Sequence, residues 1–404
     1  MFTYPINEQQ QEIWTSILLS SIVFLINPLV GILIATFRSI YSSQSQPIVL
    51  VLVLTAIYLS ALNTTKMPVS DMAVYLDMFQ KVPQNGFQKT LSYLSTLGDS
   101  KDVAYSSIVY LSYYLFEGNQ YVFIFIISFV SFTLAFLSIY KFGIDNEEQN
   151  YLVIAKIFTL AFFTQYFSLS FHLVRQELAT SIFFFALTFK ADSLGKYLMG
   201  CIIAVLVHSS ILVIVLLSLI PFMNRILKIR EIMYLVLFST SFIIVFSSIS
   251  SFLLLRWSMS GELLKNVMRL SEMQGMQDAS NVMGANIIIL FSLFLGILSL
   301  MEILRKQETM YNIITNLCFV WSILILSLAA SPLLQYRFFF IEYTFLPFML
   351  YMPLYSKSTL LPYLCFCVVS FLIIRFFMTF NNVFQYTPLE GALLDPLFML
   401  MKLS

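Results

Sequence analysis

Charged side chains are scarce in this chain. They make up 11% of its 404 residues, against roughly 25% in ordinary soluble domains, and that scarcity argues against a solvated globular surface. Neither sign dominates what remains: 22 Lys and Arg against 21 Asp and Glu leave a formal net charge of +1. No basic field exists to hold nucleic acid, which is excluded as a partner. Cysteine is also sparse. Cys201, Cys318, Cys365 and Cys367 lie inside apolar runs, without the Cys-x-x-Cys spacing or nearby His of a zinc or redox site, so they read as small core residues. Histidine occurs only at His172 and His208. What is abundant is apolar: 59% of residues are hydrophobic and 16% aromatic. That composition belongs to a polytopic membrane protein. Met1 to Gln11 carries no basic stretch and no small-residue cleavage motif, so the first apolar run is expected to stay as a membrane anchor.

A bilayer core takes about 20 apolar residues per helix, and backbone exposed to lipid must be helical for its hydrogen bonds to be met internally. Spans are expected at about 13–37, 47–62, 121–140, 151–170, 176–190, 197–222, 232–254, 285–304, 311–330, 333–354 and 358–378. The fold class is therefore an all-α polytopic membrane protein of about 11–12 transmembrane helices, forming a single membrane domain over 1–404. Two longer connections interrupt the series, 63–120 and 256–284. Lys and Arg accumulate on the cytoplasmic side of short loops. Arg38, Lys141, Lys190 and Lys196 are then inward, and 63–120 is external. One stretch conflicts with this count. A single crossing by 197–222 would put Arg225, Lys228 and Arg230 outside; a re-entrant or hairpin segment with His208-Ser209-Ser210 near its apex makes them cytoplasmic. The hairpin is preferred because each half has about a dozen residues, too few to cross. Arg175, His208, Arg256, Arg269, Arg337 and Arg375 then face the external side. Within 256–284 the apolar residues Trp257, Leu263, Leu264, Val267, Met268 and Leu270 share a helical face, so this loop is either an interfacial lid or a connection resting on lipid. No internal repeat relates the two halves, which counts against an inverted-repeat transporter.

Phe171-His172-Leu173-Val174-Arg175-Gln176-Glu177 sets charge between two long apolar runs. An ionised side chain at bilayer depth costs roughly 2.5–3.5 kcal/mol on insertion scales, so such residues usually serve a ligand or a pathway, although Arg175 could merely snorkel from a helix end. Ser331-Pro332 reads as a helix start, with Ser at the N-cap and Pro at the first helical position. Arg337 follows about a turn and a half later, where its charge adds to the positive end of the helix dipole. Arginine's planar fork matches phosphate oxygens two at a time, so Arg175 and Arg337 point to a phosphate or pyrophosphate ligand; the alternative is pairing with Glu177 or Glu342 for packing alone. His208 precedes two hydroxyls in an apolar run. It is either a structural, hydrogen-bonded histidine or the group that takes a sugar hydroxyl's proton, since imidazole titrates near neutral pH. His172 shares the Arg175 face if that helix extends back to it. In the first external segment, Asp71, Tyr75, Asp77 and Glu117 combine acids with aromatics, as sugar sites do. No paired Asp-x-Asp acids occur there, so the sequence implies no divalent metal and no cofactor.

These residues resemble those of the Wzy/EpsG type of bacterial polysaccharide polymerase. The resemblance is carried by Asp71 with Tyr75, Glu117 before a span, Arg175-Gln176 with Ala179, His208-Ser209 about thirty residues later, and Arg337 in a late aromatic helix. It covers most of the chain. It implies a multi-pass enzyme of the bacterial inner membrane with GT-C-like architecture and an active site facing the periplasm. That enzyme is a metal-independent glycosyltransferase, moving a growing glycan from undecaprenyl pyrophosphate onto a new lipid-linked repeat unit. Its partners are the lipid-linked donor and acceptor, the bilayer and a chain-length regulator protein. The roles expected from it are pyrophosphate or glycan binding by Arg175, Gln176, Arg337, Tyr336, Arg256, Arg269, Tyr75 and His172, and proton transfer by His208, Asp71 or Glu117. Members usually carry a larger late external segment than 256–284. A lipid-linked oligosaccharide flippase and an O-antigen ligase would share the arginine chemistry and remain alternatives.

Overall fold

The computed structural model of the chain describes residues 8–41, 46–68, 71–96, 102–237, 241, 279–305, 312–328, 332–352, 360–382 and 387–401. Regular structure among them is helical throughout. The chain is an all-helical membrane protein, as its composition requires. Three described helical stretches are long and apolar enough to cross a membrane: Gln46–Thr64, Gln120–Asp145 and Asn286–Leu304. Most of the loop 256–284 and of the expected span 232–254 lies outside the described residues, and with it Arg256 and Arg269. Two compact units divide the chain. One comprises Met1–Thr90, Val103–Val207 and Phe366–Ser404, the other Leu91–Asp102 and His208–Cys365.

The first unit begins with α1 (Glu8–Ile26), α2 (Pro28–Tyr41) and α3 (Gln46–Thr64), followed by α4 (Asp71–Gln80), α5 (Val82–Thr96, of which the residues from Leu91 on belong to the second unit) and α6 (Val103–Leu115). It continues with α7 (Gln120–Asp145), α8 (Asn150–Ala161), α9 (Thr164–His172), α10 (Val174–Leu187) and α11 (Leu194–Val207). Its centre is α7, against which α3 and α10 pack. At 26 residues, or about 39 Å at 1.5 Å per residue, α7 exceeds what a bilayer core requires. Asn119 starts it: Oδ1 accepts from the N–H groups of Tyr121 at 3.0 Å and Val122 at 3.2 Å, satisfying two donors that a helix start leaves open. Glu117 and Gly118, both at positive φ, make the turn just before it.

Several expected spans are broken helices. The run 13–37 divides at Asn27-Pro28, where Asn27 Oδ1 accepts the Val30 N–H at 3.1 Å and Pro28 fills the first helical position. The two helices pack closely. A Cβ on Gly31 would lie 2.5 Å from the Phe24 Cα, so only glycine permits that approach. The run 151–170 is α8 and α9, bent by 57° at Phe162-Phe163. The described part of the polar connection 63–120 is largely helical, and α4 buries Met72, Tyr75, Leu76, Met78 and Phe79. Two C-terminal contacts hold the end of the chain to this unit: Tyr58 donates to the Ala392 carbonyl at 3.0 Å, and Asn27 Nδ2 to that of Leu393 at 3.1 Å.

The second unit contains α12 (Leu212–Leu219), α13 (Ala279–Leu304), α14 (Asn312–Ser327), α15 (Pro332–Tyr343) and α16 (Leu346–Tyr351). The apolar run 197–222 breaks at His208, whose extended backbone (φ −154°, ψ 116°) separates α11 from a 3-10 turn over Ser209–Ile211 and then α12. The break falls where the hairpin reading set its apex. α15 begins at Pro332 as expected and packs on α13 and α14. Trp321 Nε1 donates to the Phe338 carbonyl at 3.0 Å and Gln335 Nε2 to that of Ile325 at 3.0 Å, fixing α15 against α14. Cys201 and Cys318 are buried, whereas Cys367 is exposed and not a core residue.

Candidate functional site

In the first unit the structure assembles a site from two segments that lie a hundred residues apart. Leu173 (φ −105°, ψ 40°) leaves the helical region and separates α9 from α10, so Arg175 stands in the first turn of a new helix. The positive dipole end at such a start adds to the guanidinium charge. Across from it, α4 presents Asp71 and, one turn on, Tyr75. The Tyr75 hydroxyl accepts the Arg175 Nε–H at 2.7 Å and donates to Asp71 Oδ2 at 3.3 Å. The guanidinium carbon also lies 4.9 Å from the centre of the Tyr75 ring, a cation–π contact. Tyr105 packs its edge against the same ring at 5.3 Å. Arg175 is 4% exposed and Tyr75 2%. A buried cation held by a hydrogen bond and a ring face is fixed in orientation as well as place.

Behind this cluster lies a second layer of buried polar groups. Glu177, one residue past Gln176 on α10, is fully buried, as are Lys66 and Tyr166. Lys66, also buried, donates to the Phe167 carbonyl, and its ammonium lies 3.4 Å from the centre of the Phe167 ring. Asn63 Nδ2 donates to Ser128 Oγ at 3.0 Å and Ser170 Oγ at 3.4 Å. These contacts tie the end of α3 to α7 and to the α9–α10 break, and so fix the helix start that carries Arg175.

In the second unit, His208 Nδ1 lies 3.0 Å from Asp102 Oδ2. The other carboxylate oxygen accepts the Ser209 N–H at 3.3 Å. The Asp102 side chain is 1% exposed and that of His208 11%. Arg337 and the exposed Tyr336 lie on α15 of the same unit. On that helix Glu342 is fully buried and accepts from Ser292 Oγ and Ser322 Oγ, each at 2.6 Å. That explains this intramembrane carboxyl as a packing element between three helices.

Of the residues expected from sequence, Tyr75 meets both Arg175 and Asp71 through its hydroxyl. Gln176 is buried beside them on α10. His172 is the last residue of α9 and does not share a helix with Arg175, because the chain breaks at Leu173; the face expected from continuous helical spacing is not imposed. Glu117 is exposed in the α6–α7 turn. Sequence reasoning missed Asp102, Lys66 and Tyr166. Asp102 lies in Gly98-Asp99-Ser100-Lys101-Asp102, which reads as an ordinary solvated loop. Lys66 follows an apolar run and reads as an interfacial lysine.

Comparison with known proteins gives one result: the model of the EpsG family matches residues 46–390. No curated protein and no solved structure matches the chain.

Proposed function

The chain belongs to the EpsG family, a family of Wzy-type polymerases and so a polysaccharide-polymerase type of membrane protein, and from that premise we propose that it lengthens a lipid-linked glycan. The donor is a growing chain on undecaprenyl pyrophosphate. The acceptor is a new repeat unit on the same kind of lipid, and the reaction takes place at the periplasmic face of the bacterial inner membrane. The observation that carries this reading is the Arg175–Tyr75–Asp71 cluster: a buried guanidinium, oriented by a tyrosine hydroxyl, at the first turn of a helix. Such a group suits a pyrophosphate whose charge grows as the glycosidic bond breaks. Tyr75 and Asp71 hold Arg175 in place. Gln176, next to Arg175 on α10, contributes a contact to phosphate or sugar oxygens. His208 takes the proton of the acceptor hydroxyl. No step calls on a metal, because arginine charge meets the pyrophosphate.

Purified protein in lipid vesicles, supplied with one lipid-linked repeat unit, separates this function from its rivals. Polymerisation gives a ladder of products rising by one repeat. Transfer only to a lipid A core or protein acceptor supplied separately identifies a ligase, and movement of the repeat across the bilayer without growth identifies a flippase. Either of those results overturns the proposal.

A further inference from the structure

We infer that Asp102 and His208 form an acid–base dyad in which Asp102 is the positioning residue that holds His208 ready to accept a proton at Nε2. This deepens the proposed polymerase reading and rests on it for the reaction, though not for the geometry.

Asp102 is 1% exposed at its side chain, and a buried aspartate is costly unless both oxygens are satisfied. Here each oxygen has a partner: Oδ1 accepts the Ser209 N–H at 3.3 Å, and Oδ2 faces His208 Nδ1 at 3.0 Å. A carboxylate only accepts, so the ring nitrogen opposite it must carry the hydrogen. That selects the Nδ1–H tautomer of neutral His208 and leaves the lone pair on Nε2. Among the described residues no hydrogen bond to Nε2 is seen, and Asp102 is the charged side chain in contact with the ring. The backbone fits this arrangement. His208 is extended at the break ahead of the Ser209–Ile211 turn, and Ser209, the next residue, fixes the same carboxylate. Histidine and its orienting group are thereby locked together at a discontinuity in an apolar run, and not at a random surface position.

In the transfer step the acceptor hydroxyl oxygen forms a bond to the donor's anomeric carbon. The bond from that carbon to the pyrophosphate oxygen breaks, its electron pair leaving with the lipid pyrophosphate. The hydroxyl proton passes to His208 Nε2. Asp102 then faces an imidazolium and stabilises it, as an orienting carboxylate does in other histidine-dependent transfers. The proton leaves to solvent before the next cycle.

The chain has two histidines, so the dyad can be observed without any assay of function. Protein labelled with 15N at histidine, in detergent or nanodiscs, gives two imidazole spectra, and His208→Gln identifies the one belonging to His208. The expected spectrum has a protonated Nδ1 and a bare Nε2, and Asp102→Asn shifts the ring toward the other tautomer. A wild-type ring protonated at Nε2, or a spectrum untouched by Asp102→Asn in a variant with wild-type thermal stability, overturns the dyad whatever the protein's reaction is. The polymerisation rate supplies the second arm. Asp102→Asn should cut kcat by roughly 100-fold and leave the donor KM near its wild-type value; Asp102→Glu should recover part of kcat. A kcat that Asp102→Asn leaves unchanged, or a loss expressed in KM alone, contradicts the role. Should the tautomer result hold while vesicles yield no ladder, the dyad stands and the polymerase reading fails.

Discussion

Replacing Tyr75 by Phe isolates the orienting hydroxyl at the Arg175 site. The ring stays, so the contact at 4.9 Å to the guanidinium, worth about 0.5–2 kcal/mol, is retained. What is lost is the acceptor 2.7 Å from Nε and the donor to Asp71. Tyr75 and Arg175 are both almost fully buried, so water does not readily take the hydroxyl's place. A hydrogen bond to a charged group contributes about 1.5–3 kcal/mol. At about 1.4 kcal/mol per factor of ten, that corresponds to a roughly 10- to 100-fold effect. Because the hydroxyl holds the phosphate-binding group and does not move the proton, the loss should appear in kcat/KM for the donor, with the pH–rate profile unchanged. The assay is ladder formation from vesicles at limiting donor, with thermal unfolding of the same preparation measured alongside. A donor kcat/KM equal to wild type in a stably folded Tyr75→Phe protein refutes the claim that the hydroxyl orients Arg175 for the donor.

Three other outcomes follow from the same contacts. Lys66→Met removes the donor to the Phe167 carbonyl and the cation over the Phe167 ring and should cost about 1–3 kcal/mol of stability; an unchanged thermal unfolding temperature would contradict the role given to these contacts. Gly31→Ala places a Cβ 2.5 Å from the Phe24 Cα, and the forced separation of α1 and α2 should cost about 1–3 kcal/mol; an unchanged melting temperature would show that the helices part freely. Tyr336 is 38% exposed, so in a chain freed of its native cysteines Tyr336→Cys should react with a membrane-impermeant thiol reagent from the external side. Reaction only after permeabilisation would place that face of α15 in the cytoplasm.

The helices that sequence located best are those where length and apolarity coincide. The expected 47–62 and 121–140 appear as α3 and α7, because uninterrupted runs of that length have few other stable forms in lipid. Hydropathy averages composition and is blind to backbone continuity, so the breaks at Asn27-Pro28, Phe162-Phe163 and Thr344-Phe345 were hidden inside apolar runs. The first of them carries a readable signal in hindsight: Asn then Pro is a helix start as well as a kink. For the site, Arg175 was legible because charge is expensive in such surroundings. Its partners Tyr75 and Asp71 were visible as residue types suited to sugar, but their contact with Arg175 spans a hundred residues and has no local pattern. Asp102 was illegible for the same reason. A single aspartate in a polar loop gives no sign that a histidine more than a hundred residues later will close on it.

The central claim is that this membrane protein extends a lipid-linked glycan and that Arg175 holds the donor pyrophosphate. It is tested most directly by comparing wild-type protein with Arg175→Ala and Arg175→Lys in vesicles loaded with lipid-linked repeat units, scoring the length distribution of the products. The account predicts a ladder from wild type, none from Arg175→Ala, and a severe loss from Arg175→Lys, because a lysine ammonium reproduces neither the planar fork nor the bond from Nε to Tyr75. A full-length ladder from stably folded Arg175→Ala would contradict it.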